Sequence, residues 1–474
     1  MSKKHSIALW GSLAFILINS IAISHEFYYV PVLSAVAVVL YLLFFRADLL
    51  IYLMAFITPF SIDIADEKFS VGLSIPAEII MILLTFLFFI RLLYDIRLER
   101  KIVLHPVSIL IYIYLAWMLI TSITSEIPLV SFKFLASKIW FITACYFCVI
   151  QLIKNDFKKI ITFINCYAFS LGAVIVHTTI KYALSGFSKH NLHWIMNPFY
   201  NDHTAYGAAI TFFIPLIMAL FIVDGKTVWK KTYYLIIMAV LCTGLVLSYC
   251  RAAWLSIIFA LCVVAVIKMR IKWSWLLLGI TLIISILYYF SDDILYKMGR
   301  NTQDSSGQLV EHLRSMSNIK TDASNVERLN RWFAAFEMIE ERPVVGWGPG
   351  TYQFEYAGYQ KGKFKTIIST NFGTGGNAHS EFIGPCAEMG FPGAIIVILL
   401  MTTVIVVGIK AHIRTKDKIP KTLSLFAVVA LISYYIHGIM NNFLDTDKLS
   451  LPFWSAIAVI VVVDIMSKEE EILK

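Results

Sequence analysis

His379 stands at the end of a glycine-rich run containing Gly373, Gly375 and Gly376, just ahead of a long apolar stretch. An imidazole changes charge near neutral pH and suits general-base work. The glycines would let a bulky ligand approach the backbone closely. A lone histidine in a loop is ordinarily a solvated residue, and its type alone does not make it a base. Arg251 is the one charge in the apolar run 232–267, which is flanked by Lys231 and Lys268. An ionisable residue in such a run faces a cavity or partner, or else snorkels from a helix end. Arg328 and Arg331 lie one turn apart on a predicted helix. A guanidinium keeps its charge and grips phosphate with a fixed fork. Asn377, Glu381 and His203 are further candidates for contacts with substrate, and Glu381 could orient the His379 imidazole or serve only as a helix-start carboxylate.

These residues need a scaffold, and the composition restricts it. Hydrophobic residues make up 59% of the chain and charged residues 15%, with mean hydropathy +0.75. A soluble chain of this length would carry roughly a quarter charged residues. Apolar runs at 7–23, 28–45, 47–61, 75–94, 105–124, 136–153, 158–184, 204–223, 232–250, 252–267, 272–290, 394–410, 421–440 and 450–466 predict about fourteen transmembrane helices. Lipid offers no partner to a backbone N–H or C=O, so the runs must be helical. The expectation is an all-α polytopic integral membrane protein. Residues 1–290 hold eleven spans, 291–393 form a large outer loop, and 394–474 hold three spans and a tail.

With alternating spans and a cytoplasmic N-terminus, 23 of the 40 basic residues fall in inner segments, ten in the long loop and seven elsewhere outside. Long loops count little in the positive-inside rule, so this orientation, with both termini cytoplasmic, is the expected one. The net charge of +9 then reflects inner loops rather than a nucleic-acid surface. The run 232–267 must be a hairpin with Arg251 at its outer tip. Within the outer loop, Ser324 and Glu327 have capping-box spacing. Leu329, Trp332, Phe333, Phe336 and Ile339 then trace one helix face up to Arg342 and Pro343. That helix should lie on the membrane boundary or cap the bundle. Gly346, Gly348 and Gly350 have neither the preceding strand nor the following helix of a dinucleotide-binding loop, so they read as a tight turn.

Cys145 and Cys148 lack the second pair a zinc site needs. Cys250 and Cys386 lie near the outer face, where a disulfide would be feasible. His190, His193 and His203 share one outer loop and read as polar lining rather than as metal ligands. The first apolar run follows Lys3 and Lys4 as in a signal peptide, but without a small-residue cleavage site it is expected to stay as the first helix. No internal repeat of the transporter kind is visible.

His379-Ser380, then Gly390 and Gly393, has the spacing H-[N/S/Q]-x9-G-x-x-G. That pattern resembles the signature of the O-antigen ligase family, which includes polysaccharide polymerases and bacterial O-oligosaccharyltransferases. In the same order, Ser248 to Ser256 resembles the family's S-x-S-R segment, with Cys250 where Ser or Thr is usual. Arg328, Trp332 and Ala335, followed by the run from Pro343 to Gly350, resemble its R-x-x-x-W and P-x-x-G-x-G-x-G stretch. The resemblance spans roughly residues 190–466, and the chain exceeds the usual twelve spans by about two.

The resemblance implies a GT-C-like glycosyltransferase of the bacterial inner membrane that needs neither metal nor cofactor. Its donor would be a glycan on undecaprenyl diphosphate and its site periplasmic. The acceptor would be a hydroxyl of lipid A core, of a growing polysaccharide or of a protein Ser or Thr. Arg251 and Arg328 would stabilise the leaving diphosphate, and His379 would take the acceptor proton, failing as pH drops through the histidine range. A flippase or other transporter, the rival class, would carry charges within several mid-membrane spans, whereas most charges here sit at span ends or in loops.

Overall fold

The computed structural model describes residues 3–66, 71–94, 98–187, 192–269, 281–282, 285, 323–361 and 376–472. Thirteen of the fourteen expected apolar runs coincide with helices there; the run 272–290 lies almost wholly outside the described residues, as do 286–322 and Gly373 and Gly375. Among the described residues, nine helices are long and apolar enough to cross a bilayer, with four shorter apolar helices beside them.

The first half comprises α1 (Lys3–Ser24), α2 (Tyr29–Phe45), α3 (Ala47–Ile57), α4 (Ala77–Tyr94), short α5 (Arg100–Val103) and α6 (Pro106–Ile123). Then α7 (Pro128–Ile142) passes through a π turn at Thr143–Phe147 into α8 (Cys148–Ile153). The wider turn leaves the Cys145 carbonyl to Ser455, whose hydroxyl donates to it at 3.2 Å. α9 (Lys159–Leu184), short α10 (Leu192–Ile195), α11 (His203–Val223), α12 (Val228–Leu247) and α13 (Arg251–Lys268) follow. α14 (Ala323–Glu341), one-turn α15 (Tyr352–Glu355), α16 (Ile383–Arg414), α17 (Lys418–Gly438) and α18 (Asp447–Ile472) complete the order. One departure from an all-helical chain is an antiparallel hairpin between α3 and α4, β1 (Ile62–Asp66) and β2 (Val71–Ile75), with Ile62 opposite Ile75.

α11 and α18 form the centre, and α17 packs on α11, α13, α16 and α18. The connections fall into two groups at opposite ends. At one end Lys101 pairs with Glu469 at 2.6 Å, His105 meets Asp464 at 3.2 Å, and Lys154 pairs with Glu99 at 3.1 Å. At the other end Asn201 bonds Asp63 at 2.7 Å, Glu126 bonds Arg342 at 2.7 Å, and Lys448 lies 3.5 Å from Asp63. This grouping is the one that strict alternation of spans requires.

α16 begins at Ile383, eleven residues before the expected 394, because its first segment is a separate helix that turns at Gly390. Gly390 has φ +68°, and a Cβ there would strike the Val344 carbonyl, so glycine is required twice over. Phe391 N–H donates to the Pro343 carbonyl at 2.8 Å, and Trp117 donates to the carbonyl of Met389 at 2.9 Å.

Candidate active site

The turn between α12 and α13 confirms the hairpin read from the sequence, with Arg251 as the first residue of α13 and half-buried. Tyr249 takes φ +50° there, and Cys250 N–H donates to Ser248 Oγ at 3.2 Å, which closes the turn. The Cys250–Cys386 disulfide that the sequence left feasible does not form: both cysteines are buried and free. Cys250 Sγ instead lies 3.6 Å from Nε2 of His437 on α17.

α14 caps this end of the bundle with the face opposite to the one its apolar spacing suggested. Glu327, Asn330, Arg331, Ala334, Ala335, Met338 and Ile339 are buried, whereas Phe336 is 47% exposed and Leu329, Trp332 and Phe333 are half-buried. Small residues allow the cap to sit close, and the bulkier side chains Leu329, Trp332, Phe333 and Phe336 lie on the more exposed face. Glu327, expected to reach back in a capping box, is turned forward to Arg331: its Oε1 accepts from Nε at 2.9 Å, a buried i,i+4 ion pair. The charge of Arg331 is therefore already answered. Its other arm donates to the Asn377 carbonyl at 3.0 Å, and its plane leaves no space for a Cβ at Gly376. Arg331 thus holds the His379 loop from behind.

Arg328, one turn earlier, is half-buried and donates from Nε to the Met440 carbonyl at 3.2 Å. After burial, its charge is the next cause that lowers the Arg251 pKa, and it also depresses the pKa of His379. Two guanidiniums and the imidazole are therefore gathered at one end of the protein, from elements 77 and 51 residues apart in the chain.

His379 adopts φ +48°, a left-handed conformation that histidine tolerates better than most side chains. Its N–H donates to Asn377 Oδ1 at 3.0 Å, and Asn377 Nδ2 donates to the Asn442 carbonyl at 3.1 Å. Burial, then the charges of Arg331 and Arg328, push the His379 pKa down to about 3, with Asp202 opposing. The imidazole is thus neutral over the whole physiological range. Asp202 caps α11, accepting from Thr204 N at 3.1 Å, and its carboxylate lies 2.9 Å from His203 Nδ1. Burial raises the Asp202 pKa, but His203 and Thr204 outweigh it and hold the carboxylate well below its usual range. His203, at the first turn of α11, thus faces Asp202; His190 and the side chain of His193 lie outside the described residues.

Glu381 has a different place from the one imagined beside the imidazole. Its Oε1 accepts from Phe443 N at 2.9 Å, Leu444 N at 3.0 Å and the Tyr434 hydroxyl, while its own N–H donates to the Gly438 carbonyl at 2.8 Å. Burial, with the nearby Asp445 carboxylate, raises its pKa. Glu381 pins the loop to the connection between α17 and α18. Because one oxygen takes all three bonds, Glu381→Gln should cost under about 1 kcal/mol. Glu381→Ala should cost several kcal/mol, at about 1–3 kcal/mol per stranded buried donor. Thermal unfolding of the two purified variants checks the difference.

That connection is the part sequence reasoning missed. His437 contacts Cys250, the Met440 carbonyl takes Arg328, the Asn442 carbonyl takes Asn377, and Gly438, Phe443 and Leu444 take Glu381. Lys138 of α7 secures it from below, donating to the Leu444 carbonyl and to Asp445, both at 2.8 Å. Its bonds are mostly through backbone atoms, which leave no residue-type signal. The adjacent Asn441 and Asn442 after a histidine were the one visible irregularity.

The glycines of the run after α14 are structural, as their context suggested. Gly346, Gly348 and Gly350 have φ +67°, +113° and +74°. A Cβ on them would meet the backbone of Glu388, the hydroxyls of Ser125 and Ser131, and the ring of Phe134, respectively. The run is wedged between α16 and the α6–α7 turn. No group of three metal-ligating side chains occurs among the described residues.

No curated protein matches the chain. Residues 234–398 match the family model described as O-Antigen ligase, a stretch that contains Arg251, Arg328 and His379 but ends before the α17–α18 connection. The chain is a polytopic membrane protein that carries, over residues 234–398, a stretch similar to the O-antigen ligase family.

Proposed function

We propose that the protein transfers a glycan from undecaprenyl diphosphate to an acceptor hydroxyl at the periplasmic face of the bacterial inner membrane, without a metal. The observation that carries this reading is the meeting of Arg251, Arg328 and a neutral His379 at one end of the bundle, within the matched stretch. The acceptor oxygen attacks the anomeric carbon as its proton passes to the His379 imidazole. The bond from that carbon to the diphosphate oxygen breaks, and the electron pair leaves with the diphosphate. Charge grows on the leaving group, where preorganised guanidiniums stabilise the transition state most. Asn377, Arg331 and Glu381 set the loop that presents His379, and Asp202, paired with His203, acts electrostatically on His379.

Purified protein given a lipid-diphosphate glycan and a hydroxyl acceptor should release undecaprenyl diphosphate in step with product. Movement of the donor between leaflets without cleavage would favour a transporter instead. Deletion of the gene, with lipopolysaccharide, capsule and periplasmic glycoproteins inspected in parallel, identifies the acceptor class.

The orientation has its own check. A cysteine in the 300–320 region should react with a membrane-impermeant thiol reagent in outer-membrane-permeabilised cells, and Lys416→Cys should stay silent. The reverse pattern would move the site to the cytoplasm.

A further inference from the structure

At the end of the bundle opposite the candidate site, α3, α4, α8 and α9 enclose a crevice of about 170 Å³. A single water needs only about 10–15 Å³ of such space, so a larger group fits. The deep wall is apolar, made by Ile51, Leu84, Leu87, Phe88 and Leu152. The mouth carries Arg91, in the last turn of α4, and Lys159, the first residue of α9. Neither forms an ion pair with a described residue. Asp48, the one carboxylate on the rim, is gripped by Arg46 through two contacts of 3.1 Å, so its charge is already answered. Gln151 also lines the crevice, and its buried Nε2 has no hydrogen-bond partner among the described residues.

A buried amide donor is costly to leave unpaired, so an acceptor belongs there. Two cations and an orphan donor above an apolar slot are complementary to one kind of molecule. It carries a negative oxygen-rich head and a hydrocarbon tail, and it approaches from the level of the lipid headgroups. Basic pockets between transmembrane helices take anionic lipid heads by this chemistry.

We infer that this crevice is a binding site for an anionic phospholipid, whose phosphodiester sits between Arg91 and Lys159 and accepts from Gln151 while an acyl chain lies along Leu84 and Phe88. The site is separate from the transfer centre and does not depend on the proposed reaction.

Full-length protein stripped of lipid in detergent can be titrated with dioleoylphosphatidylglycerol and followed by native mass spectrometry and thermal unfolding. Wild-type protein should retain one more tightly held phosphatidylglycerol than Arg91→Gln or Lys159→Gln, each of which should weaken that site at least tenfold. Gln151→Leu keeps the packing volume, removes the donor and should weaken it too. Dioleoylglycerol, which has the tails without the phosphate, and inorganic phosphate, which has the head without the tails, should each fail to protect against unfolding. Equal retention of phosphatidylglycerol by wild type and all three variants would overturn the assignment. Protection by inorganic phosphate alone would overturn it as a lipid site, and protection by dioleoylglycerol alone would reduce it to a greasy groove.

Discussion

Replacing His379 by alanine should lower transfer by about 100- to 10,000-fold, the range a general base contributes. His379→Asn is the sharper variant. Asparagine tolerates the left-handed backbone that His379 adopts at φ +48°, so the loop should keep its shape while the base is lost. If His379 merely holds the loop, His379→Asn and His379→Gln should stay active, and the proposed role falls. The pH profile adds an independent readout. Burial and the charges of Arg331 and Arg328 hold the His379 pKa at about 3, so the free enzyme should keep its base deprotonated from pH 8 to pH 5. kcat/KM should therefore be flat over that interval as far as this group is concerned. It should fall only at lower pH, where the imidazole gains a proton and can no longer accept one. A bound diphosphate offsets the charge of Arg328, so the His379 pKa in the complex should rise, while burial, the largest cause, still holds it below the ordinary range. The inflection in kcat should thus lie at higher pH than that in kcat/KM. Residue type alone suggested a fall in rate through the ordinary histidine range; burial and the surrounding charges move it lower.

The second large effect is expected at the arginines. Arg251→Lys and Arg328→Lys each keep the charge and lose the planar fork. Each should raise the barrier by on the order of 2.7–4 kcal/mol, the cost typical of removing one donor to a developing anion, or about 100- to 1,000-fold in rate. Arg331→Lys provides a contrast. Arg331 is already paired with Glu327 and bonded to the Asn377 carbonyl, so its loss should appear mainly as lower thermal stability. Full activity in well-expressed Arg251→Ala would leave that residue as an interfacial anchor. Assays at several donor concentrations separate weaker binding from slower transfer.

Much of this was visible in the residues. The helical spans followed from the cost of unpaired backbone groups in lipid, which no side chain can offset. The 232–267 run had to fold back on itself because two flanking lysines and one internal arginine admit no other threading. The glycine run after α14 was readable as a turn because the residues around it lacked the strand and helix of a phosphate loop. His379, Arg251 and Arg328 were each recognisable by chemistry and order, and all three fall inside residues 234–398, the stretch that matches the family model.

What the residues did not reveal is where each apolar face points. In water a polar face marks the outside of a helix, but lipid is as apolar as leucine. A face turned to lipid and one turned to a neighbouring helix therefore read alike. α18, at the centre, and the outlying α1 have similarly apolar sequences. α14 shows the same ambiguity: Phe336 is exposed and Leu329, Trp332 and Phe333 are half-buried, while Ala334, Ala335, Asn330 and the Glu327–Arg331 pair face the protein. Glu381 was legible as a carboxylate at a helix start but not as the acceptor for Phe443 and Leu444, because those donors are backbone amides 62 and 63 residues away. The sequence by itself determined the spans, the hairpins and the cast of charged residues, since these follow from local solvation. Only tertiary structure decided that the α17–α18 connection holds that cast together, because carbonyl and amide groups common to every residue make most of those bonds.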